Sequence, residues 1–284
     1  MKKVLFSLMT ILLFLSLAGC KTEKEELING YYGPKSPEIE KEAGDIVFKD
    51  GSALPFTPGI TLSKTQKKYA IAVIFYKGTG LNSGNDTTTV RTLGVGLKHT
   101  TDRIAWCTSD ADALDVFIDT TICDRTGAMA DYTFNGDKNG SDNLEQMENK
   151  DGIDDTQDPE KYPAFYFAKK YSETETKLNG TPYENGWYLP TNAEYSRIYL
   201  AMHDGTGIYG TKYVDIDYIS GLCGGSKFSE TDSSFWTSYQ AFPSGPTGNK
   251  TAKAVTLAGS SHCSDVILQK DNDSSAKACA IREF

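Results

Sequence analysis

Histidine, long apolar runs and any excess of basic charge are scarce in this 284-residue chain, and each scarcity removes a class of function. Only His99, His203 and His262 occur, far apart, and no Cys-x-x-Cys is present, so no zinc-ligand pattern can be assembled. A serine or cysteine hydrolase needs a positioned base, and the adjacent His262 and Cys263 would point to opposite faces of a strand. With 29 basic against 38 acidic residues the formal net charge is −9, which leaves no basic footprint for nucleic acid or anionic lipid. No metal and no cofactor are expected.

What is present begins with a single long apolar run, Val4 to Leu17, behind Lys2 and Lys3. It ends in Leu17-Ala18-Gly19-Cys20, a small-residue cleavage site followed by cysteine, so residues 1–19 read as a bacterial lipoprotein signal peptide. The order serves the chemistry. The Cys20 thiol takes a diacylglyceryl group, and cleavage frees its amine for a further acyl chain. Such paired acylation anchors stably, so the expected partner is a membrane and the expected address is the cell envelope, at the outer membrane or facing the periplasm. Loss of Lys2 and Lys3 leaves 27 basic residues against 38 acidic, a net charge of −11. Residues 20–43 are charged and lack a sustained apolar period, which predicts a flexible tether. Residues 44–284 then read as a single domain. In an oxidising compartment, Cys107, Cys123, Cys223, Cys263 and Cys279 are expected to form two disulfides and one free thiol, the pairing left open.

The domain is organised around Gly186-Trp187-Tyr188-Leu189-Pro190-Thr191-Asn192-Ala193-Glu194-Tyr195. It predicts a buried aromatic strand running straight into a helix, with Thr191 and Glu194 at capping-box spacing. Tyr195, Ile198, Tyr199 and Met202 give that helix an apolar face. Before it, Gly44–Ala53 predicts a hairpin turning at Asp50-Gly51. A short helix is expected from Ser63, then strands at Ala70–Tyr76, Thr92–Leu97 and Ile104–Cys107. A helix is expected from Asn143 and further helical structure over Tyr162–Tyr171. The last part returns to strands: Ser234–Gln240, Ala252–Leu257, Asp265–Gln269 and Lys277–Phe284. Strands, then helices, then strands point to an α+β fold. Asp137 to Glu148 has oxygen-bearing residues at the spacing of a calcium loop, but Asp142 stands where that loop needs glycine. The preferred reading is structural, with Ser141 or Asp142 capping the helix from Asn143.

Asn143 before its helix, Gly186-Trp-Tyr-Leu-Pro-Thr-x-x-Glu194, Phe235-Trp-Thr-Ser238 and Ile281-Arg282-Glu-Phe284 together resemble the bacterial family typified by the C-terminal domain of the Legionella collagen-like adhesin. Gly44-Asp-Ile-Val-Phe-x-Asp-Gly51, Gly94-Val-Gly-Leu97 and Ala105-Trp106 resemble openings in spirochaetal lipoproteins of that family. The resemblance implies a C-type-lectin-like domain, two main helices flanking mixed, mainly antiparallel sheets, with the terminal strand near Gly44–Phe48. It also implies surface binding. Related folds include the formylglycine-generating enzymes, whose Arg-Gly-Gly-Ser run is faintly echoed, without the arginine, in Leu222-Cys-Gly-Gly-Ser226.

Two functions of different class follow. The first, preferred, is a non-enzymatic ligand-binding or adhesin-like lipoprotein with a glycan or host-protein ligand. Its candidate site is in the late loops, at Tyr239, Gln240, Phe242, Ser261, His262, Asp271, Asn272 and Asp273, which mix aromatic contact area with hydrogen-bonding groups. The second is a cysteine-dependent modifying enzyme using Cys223, Cys263 or Cys279; a purely structural envelope protein is a further alternative.

Overall fold

Asp50-Gly51 makes the turn between the first two strands, with Gly51 at φ +82°, a backbone angle that a Cβ resists. It joins β1 (Asp45–Phe48) to β2 (Ala53–Pro55). In this computed structural model, which describes residues 27–84, 86–127, 132–150, 158–203, 214–230, 234–242, 248–257 and 263–284, the strands gather into three sheets. β3 (Ala70–Gly78), β4 (Arg91–His99) and β11 (Cys279–Glu283) complete a five-stranded antiparallel sheet in the order β11-β4-β3-β1-β2. β7 (Ser234–Gln240), β8 (Thr251–Thr256) and β9 (Ser264–Gln269) form an antiparallel meander, and β10 (Ala276–Lys277) runs parallel to β7. A separate hairpin pairs β5 (Cys123–Thr126) with β6 (Thr133–Gly136). The fold is α+β with mostly antiparallel sheets.

Six α-helices lie among the described residues, not the two main ones expected: α1 (Lys64–Tyr69), α2 (Asn143–Glu148), α3 (Pro163–Lys169), α4 (Tyr171–Thr174), α5 (Asn192–His203) and α6 (Ile216–Leu222). Ser63 closes a full capping box with Gln66 at the start of α1. None of the described helices is long and apolar enough to cross a membrane. α5 packs on β3 of one large sheet and β8 of the other, and α6 also packs on β3. This explains the apolar run from Ala70 to Tyr76, since every residue in it is buried. The three tryptophans fill the core with their indole N–H groups satisfied. Trp106 donates to the Thr237 carbonyl at 2.9 Å, Trp187 to that of Tyr183 at 2.7 Å, and Trp236 to that of Ile104 at 2.7 Å.

The stretch after β9 belongs to both large sheets. Ala276–Lys277 pairs with β7, the chain steps at Ala278, and Cys279–Glu283 pairs with β4. The Ala278 step is itself tied, its N–H donating to Thr100 Oγ1 and its carbonyl accepting from the Thr100 N–H, both at 3.0 Å. The terminal strand therefore joins the sheet of the first strands, but beside β4 and not beside Gly44–Phe48. Both edges of β1 are already taken, by β2 and β3.

Four further expectations change. Residues 20–43 are not a tether throughout: Tyr32 is buried against Tyr69 and Phe48, with ring centroids 4.6 and 6.3 Å apart, and Lys35 bridges Ala53 and pairs with Asp45 at 2.6 Å. The aromatic pocket and the buried carboxylate hold this segment on the domain. Ile104–Cys107 is not a strand, contributing only one bridge, Ile104 to Ala276. Asp142 occupies the N-cap position of α2, but only its backbone carbonyl bonds to the helix, accepting from the Gln146 N–H at 2.8 Å; its carboxylate accepts from Ser83 Oγ at 3.0 Å instead. The five cysteines 107, 123, 223, 263 and 279 are free thiols, all buried in the core, where two disulfides were expected; Cys279 Sγ lies 3.2 Å from the Tyr195 hydroxyl.

Candidate functional site

The described late-loop residues are divided between the interior and the surface. Tyr239 is fully buried and its hydroxyl donates to Asp124 Oδ1 at 3.3 Å. Gln240 is also buried; its Oε1 accepts from the Ile118 N–H at 2.7 Å and its Nε2 donates to the Val116 carbonyl at 2.6 Å. Both belong to the interior because β8 pairs with this end of β7, the segment around 113–118 covers Gln240, and Asp124 of the β5–β6 hairpin meets Tyr239. Phe242 is half exposed and lies 5.8 Å from the Phe117 ring. Asp271, Asn272 and Asp273 form an exposed turn, closed by the Ser274 N–H donating to Asn272 Oδ1 at 2.9 Å. Ser261 and His262 lie outside the described residues, as does Cys20.

A different group of residues is brought together in a cleft of about 190 Å³, lined by Gly80, Leu81, Tyr132, Thr133, Phe134, Lys138 and Arg197. Four separate segments build it. The loop after β3 is held by the Gly80 N–H donating to Tyr76 Oη at 2.7 Å, and by the Leu81 carbonyl accepting from Arg91 Nη1 at 2.5 Å. The β5–β6 hairpin presents Tyr132, at φ +45°, and Phe134, with the Arg125 guanidinium 5.4 and 5.5 Å from their rings. Arg125 is in turn paired with Asp265 at 3.0 Å. Helix α5 supplies Arg197, whose guanidinium lies 5.9 Å from the Tyr76 ring, and Tyr199, whose ring is 6.0 Å from that of Tyr132. The fourth segment, after β6, carries Lys138.

The capping box of α5 locks that last segment in place. Thr191 Oγ1 accepts from the Glu194 N–H at 3.2 Å and donates to the Lys138 carbonyl at 3.1 Å. Glu194 Oε2 accepts from the Thr191 N–H at 2.8 Å and from the Gly140 N–H at 3.2 Å. Its Oε1 accepts from the Tyr188 hydroxyl at 2.9 Å and faces Arg91 Nη1 at 3.4 Å. Burial raises the Glu194 carboxyl to about 7, while the Arg91 charge and the donors around it oppose the shift. A buried polar cluster thus underlies the cleft and ties three of its four walls together. The two cations, two aromatic rings and fixed backbone suit binding of an anion with an apolar body; none of the described lining residues is acidic.

The described cysteines lie apart from the cleft lining, and the calcium-like stretch meets it at Lys138. Burial pushes Cys107, Cys123, Cys223, Cys263 and Cys279 each up to about 12, so at neutral pH they are protonated thiols. The calcium-like stretch is used structurally. Asp137 accepts from the Asn139 N–H and from Gln146 Nε2, both at 2.9 Å. Among the described residues no cluster of three or more His, Cys, Asp or Glu side chains is placed to hold a metal.

None of the cleft residues was singled out from sequence. Tyr132-Thr133-Phe134 alternates as a strand should, and this was the available signal, yet the acidic stretch around it reads as irregular. Arg197 and Lys138 carry no local signal at all, being 59 residues apart in the chain.

No protein-family model matches this chain, and no curated protein matches it in sequence. The resemblance to the collagen-like adhesin domain is therefore not supported by a matching family. Among solved structures the chain is similar to a fimbrial protein from Bacteroides ovatus ATCC 8483, with a TM-score of 0.52 and 14% identity. The likeness covers 86% of this chain and 49% of that one, so this chain spans about half the length of that protein. What the two share is fold.

Proposed function

We propose that this chain is a non-enzymatic binding module of the bacterial cell envelope, anchored through lipid on Cys20, with its ligand seat in the Arg197 cleft and not in the late loops. The cleft carries the reading: two cations and two rings stand on four segments that separate hydrogen bonds hold in place. Preorganisation of this kind reduces the ordering a ligand must impose. The cysteine-dependent enzyme would need an accessible thiol pair, and the described thiols are buried and protonated. Similarity to a fimbrial protein accords with an envelope address. The lectin-like view of the fold belongs to the same proposal, supported by the return of β11 to the sheet of the first strands.

The test is a titration of the full chain in detergent with small anionic, neutral and cationic fragments, followed by amide resonances. Shifts should gather at Gly80, Thr133, Lys138 and Arg197. Shifts confined to Phe242 and Asp271–Asp273 would return the site to the late loops, and none anywhere would favour a purely structural envelope protein. For the anchor, Cys20→Ser should abolish lipid labelling and leave the precursor uncleaved. A Cys20→Ser chain that still acquires its mature N-terminus and partitions into detergent would rule the anchor out.

A further inference from the structure

We infer that the cleft takes one carboxylate-bearing sugar ring, a uronate unit, in preference to a neutral sugar, an acidic peptide or a densely sulfated polymer. This deepens, and rests on, the reading of the cleft as the ligand seat. Charge is the first ground. Lys138 and Arg197 both line the cleft, one a compact ammonium and the other a planar fork matched to a carboxylate. The second ground is size: at about 190 Å³ the cleft is smaller than the roughly 300–1,000 Å³ of sites that enclose a drug-sized ligand. One ring fits it better than a peptide segment.

Tyr132 and Phe134 supply the third ground, since both line the cleft and give it apolar aromatic surface of the kind that packs on the C–H face of a sugar. The fourth is the contrast between site and molecule. The chain as a whole carries a net −9, so a polyanion meets general repulsion over its length. A single carboxylate is screened from distant charge beyond about 8 Å at physiological salt and responds mainly to the two cations in contact with it.

The experiment is calorimetric titration of the full chain in detergent with glucuronate, glucose, glucose 6-sulfate and a short Asp/Glu peptide, each at low and high salt. Glucuronate should bind, weaken as salt rises, and exceed the other three by about tenfold. Lys138→Gln with Arg197→Gln should lower glucuronate affinity by about tenfold or more at unchanged melting temperature. If that pair fails to fold, Lys138→Met alone, together with the salt dependence, carries the test.

Equal binding of glucose overturns the charge assignment while leaving the cleft a sugar seat. Stronger binding of the peptide or the sulfated sugar overturns the ligand class. Glucuronate binding unchanged in a folded double variant, with cleft amides unmoved, overturns both this inference and the cleft reading beneath it. Failure of all four probes overturns the inference alone, because the fragment titration tests the cleft independently.

Discussion

His99 shows how one half-buried side chain sets a pH limit. Its ring lies 4.2 Å from that of Phe228 and 5.1 Å from that of Phe235. Burial, with Lys277 adding to it, holds the imidazole down to about 3, against an ordinary value of 6.5. The unfolded chain therefore takes up this proton first. The contribution to stability is complete above pH 6.5 and is lost as pH falls toward 3, at about 1.4 kcal/mol per unit at most. Urea unfolding at pH 7.5 and 4.5 should show a smaller acid loss for His99→Phe than for the wild type; equal losses would mean that the imidazole is not held neutral. Gly96 is a second residue-scale constraint. A Cβ there would lie 2.5 Å from Cζ of Tyr171, whose hydroxyl accepts from the Lys98 N–H at 2.7 Å. Gly96→Ala should cost about 1–3 kcal/mol by overpacking, and Tyr171→Leu in the same chain should recover part of the loss in melting temperature. No recovery would place the strain elsewhere.

At the scale of elements, the capping box of α5 is legible in the sequence, and the structure uses it as the spacing implies. Its further duties are not legible. Thr191 and Glu194 also hold Lys138 and Gly140, more than 50 residues earlier in the chain, and no local pattern encodes such a reach. Thr191→Ala should cost about 0.5–2 kcal/mol from the lost cap, and it should also broaden or shift the amide resonance of Lys138 because the carbonyl there loses its donor. An effect on stability with Lys138 unmoved would separate the two roles. The strands from Ala70, Thr92, Ser234 and Asp265 are readable because alternation or a continuous apolar run marks them. The β5–β6 hairpin is not, since Cys123-Asp-Arg-Thr126 contains a single apolar residue. α6 is short and contains Gly221, which hides it for the same kind of reason. Tyr239 and Gln240 were misplaced because the sequence marks where a strand ends but not what covers that end.

At the scale of the molecule, the absence of disulfides among the described residues means that the fold depends on packing and backbone pairing. A thiol reagent applied without reductant should modify none of Cys107, Cys123, Cys223, Cys263 and Cys279 in the native protein, and all five once it is denatured. A denatured count of one would restore the two disulfides. The same dependence gives weight to residues 276–283, which lie in both large sheets. A chain made from its N-terminus places β3 and β4 early, yet β4 waits for the partner on its outer edge until β11, some 180 residues later, emerges. For that interval the half-built sheet has an open rim, the kind of surface that chaperones hold and that aggregation exploits. Residues 276–283 thus act as the clasp that shuts both large sheets at one stroke.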